Sequence, residues 1–133
     1  MNTSKELIQK AIDAKSKAIA TYSHFHVGAA LLTEDGKIYQ GANIENASYG
    51  LTMCAERTAI FKALLEGERK FKAIAIAGDS DECTTPCGAC RQIIMEFCGK
   101  DIDVIMVNKN GKSKTMKMDK LLPFSFDEDF LKS

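Results

Sequence analysis

Apolar and polar positions along the chain repeat with two periods. Leu7, Ile8, Ala11, Ile12, Ala18 and Ile19 recur three and four apart, which predicts an amphipathic helix over 4–20. Thr3 followed by Glu6 is a capping-box pattern at its start. Val27 to Thr33 and Lys37 to Ala42 read as strands joined at Asp35-Gly36, a hairpin. Asn43 to Met53 is polar and reads as a loop. A second helix carries Ala55, Ala59, Ile60, Ala63 and Leu64, with Gly67 as its stop. Phe71 to Ala77 and Ile102 to Val107 are rich in apolar residues and read as buried strands. Between them lie a loop, Asp79 to Pro86, and a third helix from about Cys87 to Cys98, ended by Gly99. Asn110-Gly111 predicts a two-residue hairpin into a short last strand. A helical turn near Asp119 to Leu122 and a tail with Phe124, Phe126 and Phe130 complete the order.

Helices alternating with buried strands predict an α/β fold, a three-layer α/β/α arrangement on a mixed five-stranded sheet. The Asn110-Gly111 turn leaves no room for a crossover helix, so the last two strands form an antiparallel final hairpin. No repeat, low-complexity tract or linker interrupts the pattern, and residues 1–133 read as a single domain.

Composition narrows the function classes. With 45% hydrophobic residues and 18 basic against 18 acidic side chains, the chain is not disordered. Zero net charge argues against nucleic acid as a partner held by a basic field. No apolar run is long enough to cross a membrane, so no membrane association is expected. The N-terminal segment carries acids and lacks the apolar core of a secretion signal. Five cysteines, an odd number without such a signal, point to a reducing, cytoplasmic setting and to thiols kept for metal or catalysis.

Two cysteine features stand out. Cys87-Gly88-Ala89-Cys90 follows Pro86 at the start of the third helix, and Cys54-Ala55-Glu56-Arg57 opens the second. Alone, a C-x-x-C admits a redox dithiol, half of a zinc site, or coincidence. Residues 87 and 90 share a helix face, so both thiolates can grip one ion. A helix start also favours the thiolate a metal requires. A fourth thiolate would have to be Cys83 or Cys98. Cys98 lies about 16 Å along the helix from Cys87, out of reach, whereas Cys83 is near enough in sequence to stay a candidate. With Cys54, Cys87 and Cys90 as the protein ligands, the fourth tetrahedral position stays open, as in catalytic zinc. Glu56, two residues from Cys54, is too constrained to be a good fourth ligand but well placed to shuttle protons.

Cys-Ala-Glu followed by Pro-Cys-x-x-Cys is the signature of zinc nucleoside and nucleobase deaminases. The chain resembles the small, homotetrameric, three-cysteine cytidine deaminases. The likeness runs through Tyr22 to Leu31, Gly41 to Tyr49, Cys54 to Ala59, Pro86 to Gln92 and Leu121-Leu122-Pro123.

The resemblance implies one Zn²⁺ per chain and hydrolysis at C4 of cytidine or 2′-deoxycytidine, giving the uridine and ammonia. Zinc makes water more acidic and Glu56 moves the protons. It implies that Phe25 stacks on the base and that Asn43 and Glu45 bind the ribose 3′-hydroxyl; Ala55, Ala47 and Tyr49 complete the pocket. An amide and a carboxylate two apart in extended chain point the same way, and Glu45 disfavours a nearby phosphate. In such tetramers Ala47, Tyr49 and Phe126 reach the pocket of a neighbouring subunit, although Phe124 stands where a small residue is common. His24 and His26 read as surface or structural residues. Three thiolates and Zn²⁺ sum to −1, so something must draw density from the sulfurs. Only three arginines occur, and two directly follow the zinc motifs. Arg57 lies on the face of Cys54 and can donate to the thiolates; Arg91 is as fit for a loop clamp.

Overall fold

The computed structural model describes residues 3–48, 53–86 and 88–121. Leu122 and the aromatic tail, with Phe124, Phe126 and Phe130, lie outside them, as do Tyr49 and Cys87. In chain order the elements are α1 (Thr3–Ala14), β1 (Gly28–Thr33), β2 (Ile38–Ala42), α2 (Ala55–Leu65), β3 (Phe71–Ala77), α3 (Gly88–Cys98), β4 (Asp103–Val107), β5 (Ser113–Lys117) and α4 (Met118–Leu121). The strands form one sheet in the order β2-β1-β3-β4-β5. β3 and β4 are parallel, joined through α3, and every other neighbouring pair is antiparallel, including the final β4–β5 hairpin.

Side-chain alternation along the strands makes two cores. Ala30, Leu32, Ala73, Ala75, Ile105 and Val107 face α1, which buries Leu7 and Ala11 against them. Ala29, Leu31, Ile74, Ile76, Val104 and Met106 face the opposite way, against Ala59, Ile60 and Ala63 of α2 and Ile94 and Met95 of α3. The result is the three-layer α/β/α fold on a mixed five-stranded sheet. Each fully buried Leu or Ile in these layers contributes roughly 1.5–3 kcal/mol. No helix among the described residues is long and apolar enough to cross a membrane.

Three local expectations are corrected. The first helix does not run to residue 20. It ends at Ala14, a 3-10 turn follows at Lys15–Lys17, and Ala18 is extended. Ile19 instead pairs with the chain beyond β2, its N–H donating to the Asn43 carbonyl and its carbonyl accepting from Glu45 N–H, both at 2.9 Å. Backbone pairing thus overrides the helical spacing of Ala18 and Ile19.

Nor is residue 43–53 wholly loop, because Ile44 and Met53 exchange both backbone hydrogen bonds at 2.9 Å.

The second hairpin also differs from a two-residue turn, which would need a positive φ at both central positions. At 108–112 the Gly111 N–H donates to the Asn108 carbonyl, and only Gly111, at φ 86, is left-handed. Thr33 to Lys37 repeats this with Gly36 at φ 93. Each is a turn followed by a left-handed glycine, which preserves the strand twist.

Candidate active site

The ends Gly28, Ala42, Ala77 and Val107 meet along one edge of the sheet, where their registers align. Among the described residues, Phe25, Asn43, Glu45, Cys54, Glu56, Arg57 and Cys90 gather at that edge, outside the carboxyl ends of the parallel strands.

Cys54 is the N-cap of α2, at φ −76 and ψ 154, with its carbonyl accepting from Thr58 N–H and Oγ1, each at 3.0 Å. Cys90 is fully buried in the first turn of α3. Glu56, in the first turn of α2, is 4% exposed. Burial is the largest cause that raises its carboxyl to about 7, and the neighbouring Cys54 adds to it. Its own backbone N–H, the Cys90 thiol and Arg57 act in the opposite direction without cancelling that effect. Arg57 Nη2 donates to Cys54 Sγ at 3.4 Å, and the hydrogen bond to this thiol is the chief cause raising the guanidinium pKa, with Cys90 contributing. Two facing helix starts thus bring two thiols, a proton-holding carboxyl and a cation together.

Gly41 sets this spacing. A Cβ there would stand 2.5 Å from the Ala55 carbonyl oxygen and 2.5 Å from Ala59 N. Only glycine lets β2 approach the first turn of α2 so closely. Ala55 itself is buried at that contact.

Asn43 and Glu45 do point the same way. Both face the segment that carries Phe25, and the Glu45 carboxyl is held below its ordinary pKa chiefly by Ser23, with the Asn43 amide a lesser cause. Both side chains also hold that segment. Asn43 Oδ1 accepts from Val27 N–H at 2.9 Å and Nδ2 donates to the Phe25 carbonyl at 3.0 Å. Glu45 Oε1 accepts from Tyr22 and Ser23 N–H at 3.0 and 2.9 Å, and the Ser23 hydroxyl donates to Oε2. Phe25 is 37% exposed, a ring with one side on protein and the other open. Ala47 is exposed.

Arg91 acts as a clamp, donating from Nε to the Pro86 carbonyl at 2.9 Å and from Nη1 to the Leu121 carbonyl at 3.0 Å. Cys83 directs its thiol to the Lys112 carbonyl at 3.8 Å, in the β4–β5 turn. Burial pushes the Cys98 thiol up to about 12, at the far end of α3.

Sequence reasoning took His26 as surface or structural, which it is, but missed its partner Asp79. Asp79 Oδ2 accepts from His26 N–H at 2.8 Å and lies 3.1 Å from its Nδ1, and Lys15 Nζ lies 3.3 Å from Oδ1. The only signal was an acid directly after a buried strand and a glycine, within a segment read as loop.

The residues present fit a zinc ion. Thiolate sulfur is a favoured zinc donor, both described thiols sit at helix starts, and a guanidinium offsets their charge. No three metal-binding side chains gather among the described residues alone; the expected third ligand, Cys87, lies outside them.

Residues 1–106 match the family described as "Cytidine and deoxycytidylate deaminase zinc-binding region". The chain is similar to cytidine deaminase of Sporosarcina psychrophila, 48% identical over 127 residues covering 96% of this chain and 93% of that one. It is 52% identical over 120 residues to cytidine deaminase of Halalkalibacterium halodurans, covering 90% and 91%. The crystal structure of cytidine deaminase from Burkholderia pseudomallei superposes with a TM-score of 0.89 at 48% identity, covering 91% of this chain and 97% of that one. Signature and fold agree with these matches, and the chain belongs to the zinc-binding cytidine and deoxycytidylate deaminase family.

Proposed function

We propose that this chain hydrolyses cytidine and 2′-deoxycytidine to uridine and 2′-deoxyuridine with release of ammonia, acting in the cytoplasm in pyrimidine salvage. What carries the reading is the buried Glu56 carboxyl, placed in the first turn of α2 beside Cys54 and Cys90. One zinc per chain, held by Cys54, Cys87 and Cys90, would supply a Lewis acid that makes water more acidic.

The chain's own groups do the rest. Glu56 takes a proton from water as its oxygen adds to C4 and delivers it to N3. It then takes the proton of the new C4 hydroxyl and delivers it to the departing amine, so the C4–N bond breaks as the carbonyl of uridine forms. A carboxyl held beside the reacting atoms can accept a proton and give it back. Arg57 withdraws density from the thiolates. Asn43 and Glu45 take the ribose 3′-hydroxyl, the Phe25 ring lies on the base, Ala55 lines the same pocket, and Ala47 and Tyr49 reach in from a neighbouring subunit.

The 133 residues act as one domain and assemble as a homotetramer in which Phe126, or its neighbour Phe124, reaches the pocket of the next subunit. Support for assembly is an apolar groove lined by Ile44, Met53, Phe61 and Leu65, with Leu65 88% exposed. Such a face is normally covered.

Ultraviolet absorbance on mixing the zinc-loaded protein with each substrate tests this. Cytidine and deoxycytidine should be consumed, and adenosine, blasticidin S and single-stranded DNA left intact. No change with cytidine overturns the activity, and an active monomer in sedimentation overturns the assembly.

A further inference from the structure

The Phe25 ring stands on a segment without regular structure. It runs from the 3-10 turn to β1, and His24 within it is left-handed at φ 58, a conformation that a histidine adopts only under constraint. Several contacts impose that constraint, from within the segment and from the chain just after β2. Ser23 Oγ accepts from Phe25 N–H at 3.0 Å, Asn43 bridges the Phe25 carbonyl and Val27 N–H, and Glu45 grips Tyr22 and Ser23.

One contact comes from elsewhere in the fold. Asp79 follows β3 directly after Gly78, and its Oδ2 takes His26 N–H at 2.8 Å while Lys15 Nζ steadies Oδ1 from the opposite side. Gly78 itself lies under the aromatic ring. A Cβ there would be 3.2 Å from Phe25 Cε2 and 2.3 Å from Thr84 Oγ1. Gly78 and Asp79 therefore work as a unit: the first is the floor on which the ring rests, and the second ties the neighbouring backbone to that floor.

We propose that Asp79 is a positioning residue for the pyrimidine: its bond to the His26 backbone holds the Phe25 ring against Gly78 before substrate arrives. The inference rests on the reading of Phe25 as the wall on which the base stacks. An aromatic ring already in place loses little freedom on binding, so holding it raises affinity without new contacts. Stacking on the base is felt alike in the bound substrate and in the transition state, so its loss raises KM and leaves kcat. A strap serving the fold alone behaves differently, because loosening it lowers the active fraction, hence the apparent kcat, at unchanged KM.

The experiment uses the zinc-loaded enzyme and steady-state kinetics with cytidine, together with the inhibition constant of uridine as a reading independent of turnover. Asp79→Ala should raise KM and the uridine constant together by about 2- to 10-fold, the range expected from freeing one ordered side chain, with kcat within about twofold. Asp79→Asn keeps a carbonyl that accepts from His26 N–H and should recover most of that loss. Phe25→Ala should raise KM at least as much, and adding Asp79→Ala to it should change little more. Unchanged KM in Asp79→Ala beside a raised KM in Phe25→Ala overturns the role of Asp79. So does a fall in kcat at constant KM, or an Asp79→Asn enzyme no better than Asp79→Ala. Unchanged KM in Phe25→Ala overturns instead the reading of Phe25 on which the proposal stands.

Discussion

The Arg57 guanidinium lies 3.4 Å from the Cys54 sulfur, one helical turn further along α2. A cation donating to a thiolate stabilises its negative charge and makes the sulfur a poorer electron donor. That relation matters because the expected ligand set would otherwise leave the metal centre with a net charge of −1.

Arg57→Ala should fold, keep at least part of its zinc and lose roughly 10- to 100-fold in kcat, the range of one hydrogen bond to a charged group. Replacing a thiolate by a neutral donor raises the charge of the site by one unit. Cys54→His added to Arg57→Ala should therefore recover part of the loss. A double variant no better than the arginine variant would mean that Arg57 clamps the start of α2 and nothing more.

Gly41→Ala should disturb the site without touching any reactive group. Its methyl would meet the Ala55 oxygen and Ala59 nitrogen, each at 2.5 Å, and helix backbone cannot swing aside as a side chain can. Displacing α2 should lower stability by about 1–3 kcal/mol and reduce bound zinc, since Cys54 moves with it. Gly67→Ala is the control. It meets open space but sits at φ 96, so it should cost about 1 kcal/mol of strain and keep full zinc content. Thermal melts and metal analysis decide, and full zinc in Gly41→Ala would refute the spacing argument.

Glu45→Gln probes how substrates are chosen. The wild-type carboxylate, its pKa lowered chiefly by the Ser23 hydroxyl, is charged at working pH and repels a phosphate nearby. The wild-type enzyme should prefer cytidine over its 5′-monophosphate by a large factor. Glu45→Gln should lower kcat/KM for cytidine and narrow that preference. If the wild type handles both equally, the carboxylate does not set the choice.

Much of this arrangement was legible in the chain, for definite reasons. Continuous apolar runs such as Phe71 to Ala77 mark strands covered on both faces, and Asn110-Gly111 leaves space only for an antiparallel return. Cysteines at two helix starts announce the pair Cys54 and Cys90 that the fold brings to one edge, and Arg57 lies where its spacing from Cys54 suggested. What escaped depends on contacts distant in sequence. Ile19 has the spacing of a helical residue and is extended because Asn43 and Glu45 pair with it. Asn43 and Glu45 were read only as sugar-binding, yet their side chains also build the Phe25 segment. Asp79 gave almost no signal, because its partners His26 and Lys15 precede it by more than fifty residues.

Glu56 leaves a signature even without metal. Its carboxyl titrates at about 7 in the fold, chiefly through burial, against 4.5 ordinarily. Below pH 4.5 it is protonated whether the chain is folded or not, so it imposes no penalty. Between 4.5 and 7 the folded chain holds the proton more tightly than the unfolded one, and stability falls as pH rises. Above 7 the full penalty, of order 3 kcal/mol at 1.36 kcal/mol per unit, is present. Metal-free wild type should thus lose stability to denaturant on going from pH 4.5 to 7.5. Metal-free Glu56→Gln, neutral throughout, should lose much less. Zinc should flatten the wild-type slope, because a cation beside the carboxylate favours its charged form. The same Glu56→Gln enzyme should bind zinc and lose turnover by about 10²–10⁴-fold or more, as removal of a general acid–base group does. An unchanged pH slope in the metal-free variant would show that the buried carboxyl is not what titrates, and one retaining a tenth of the activity would assign the proton transfers to another group.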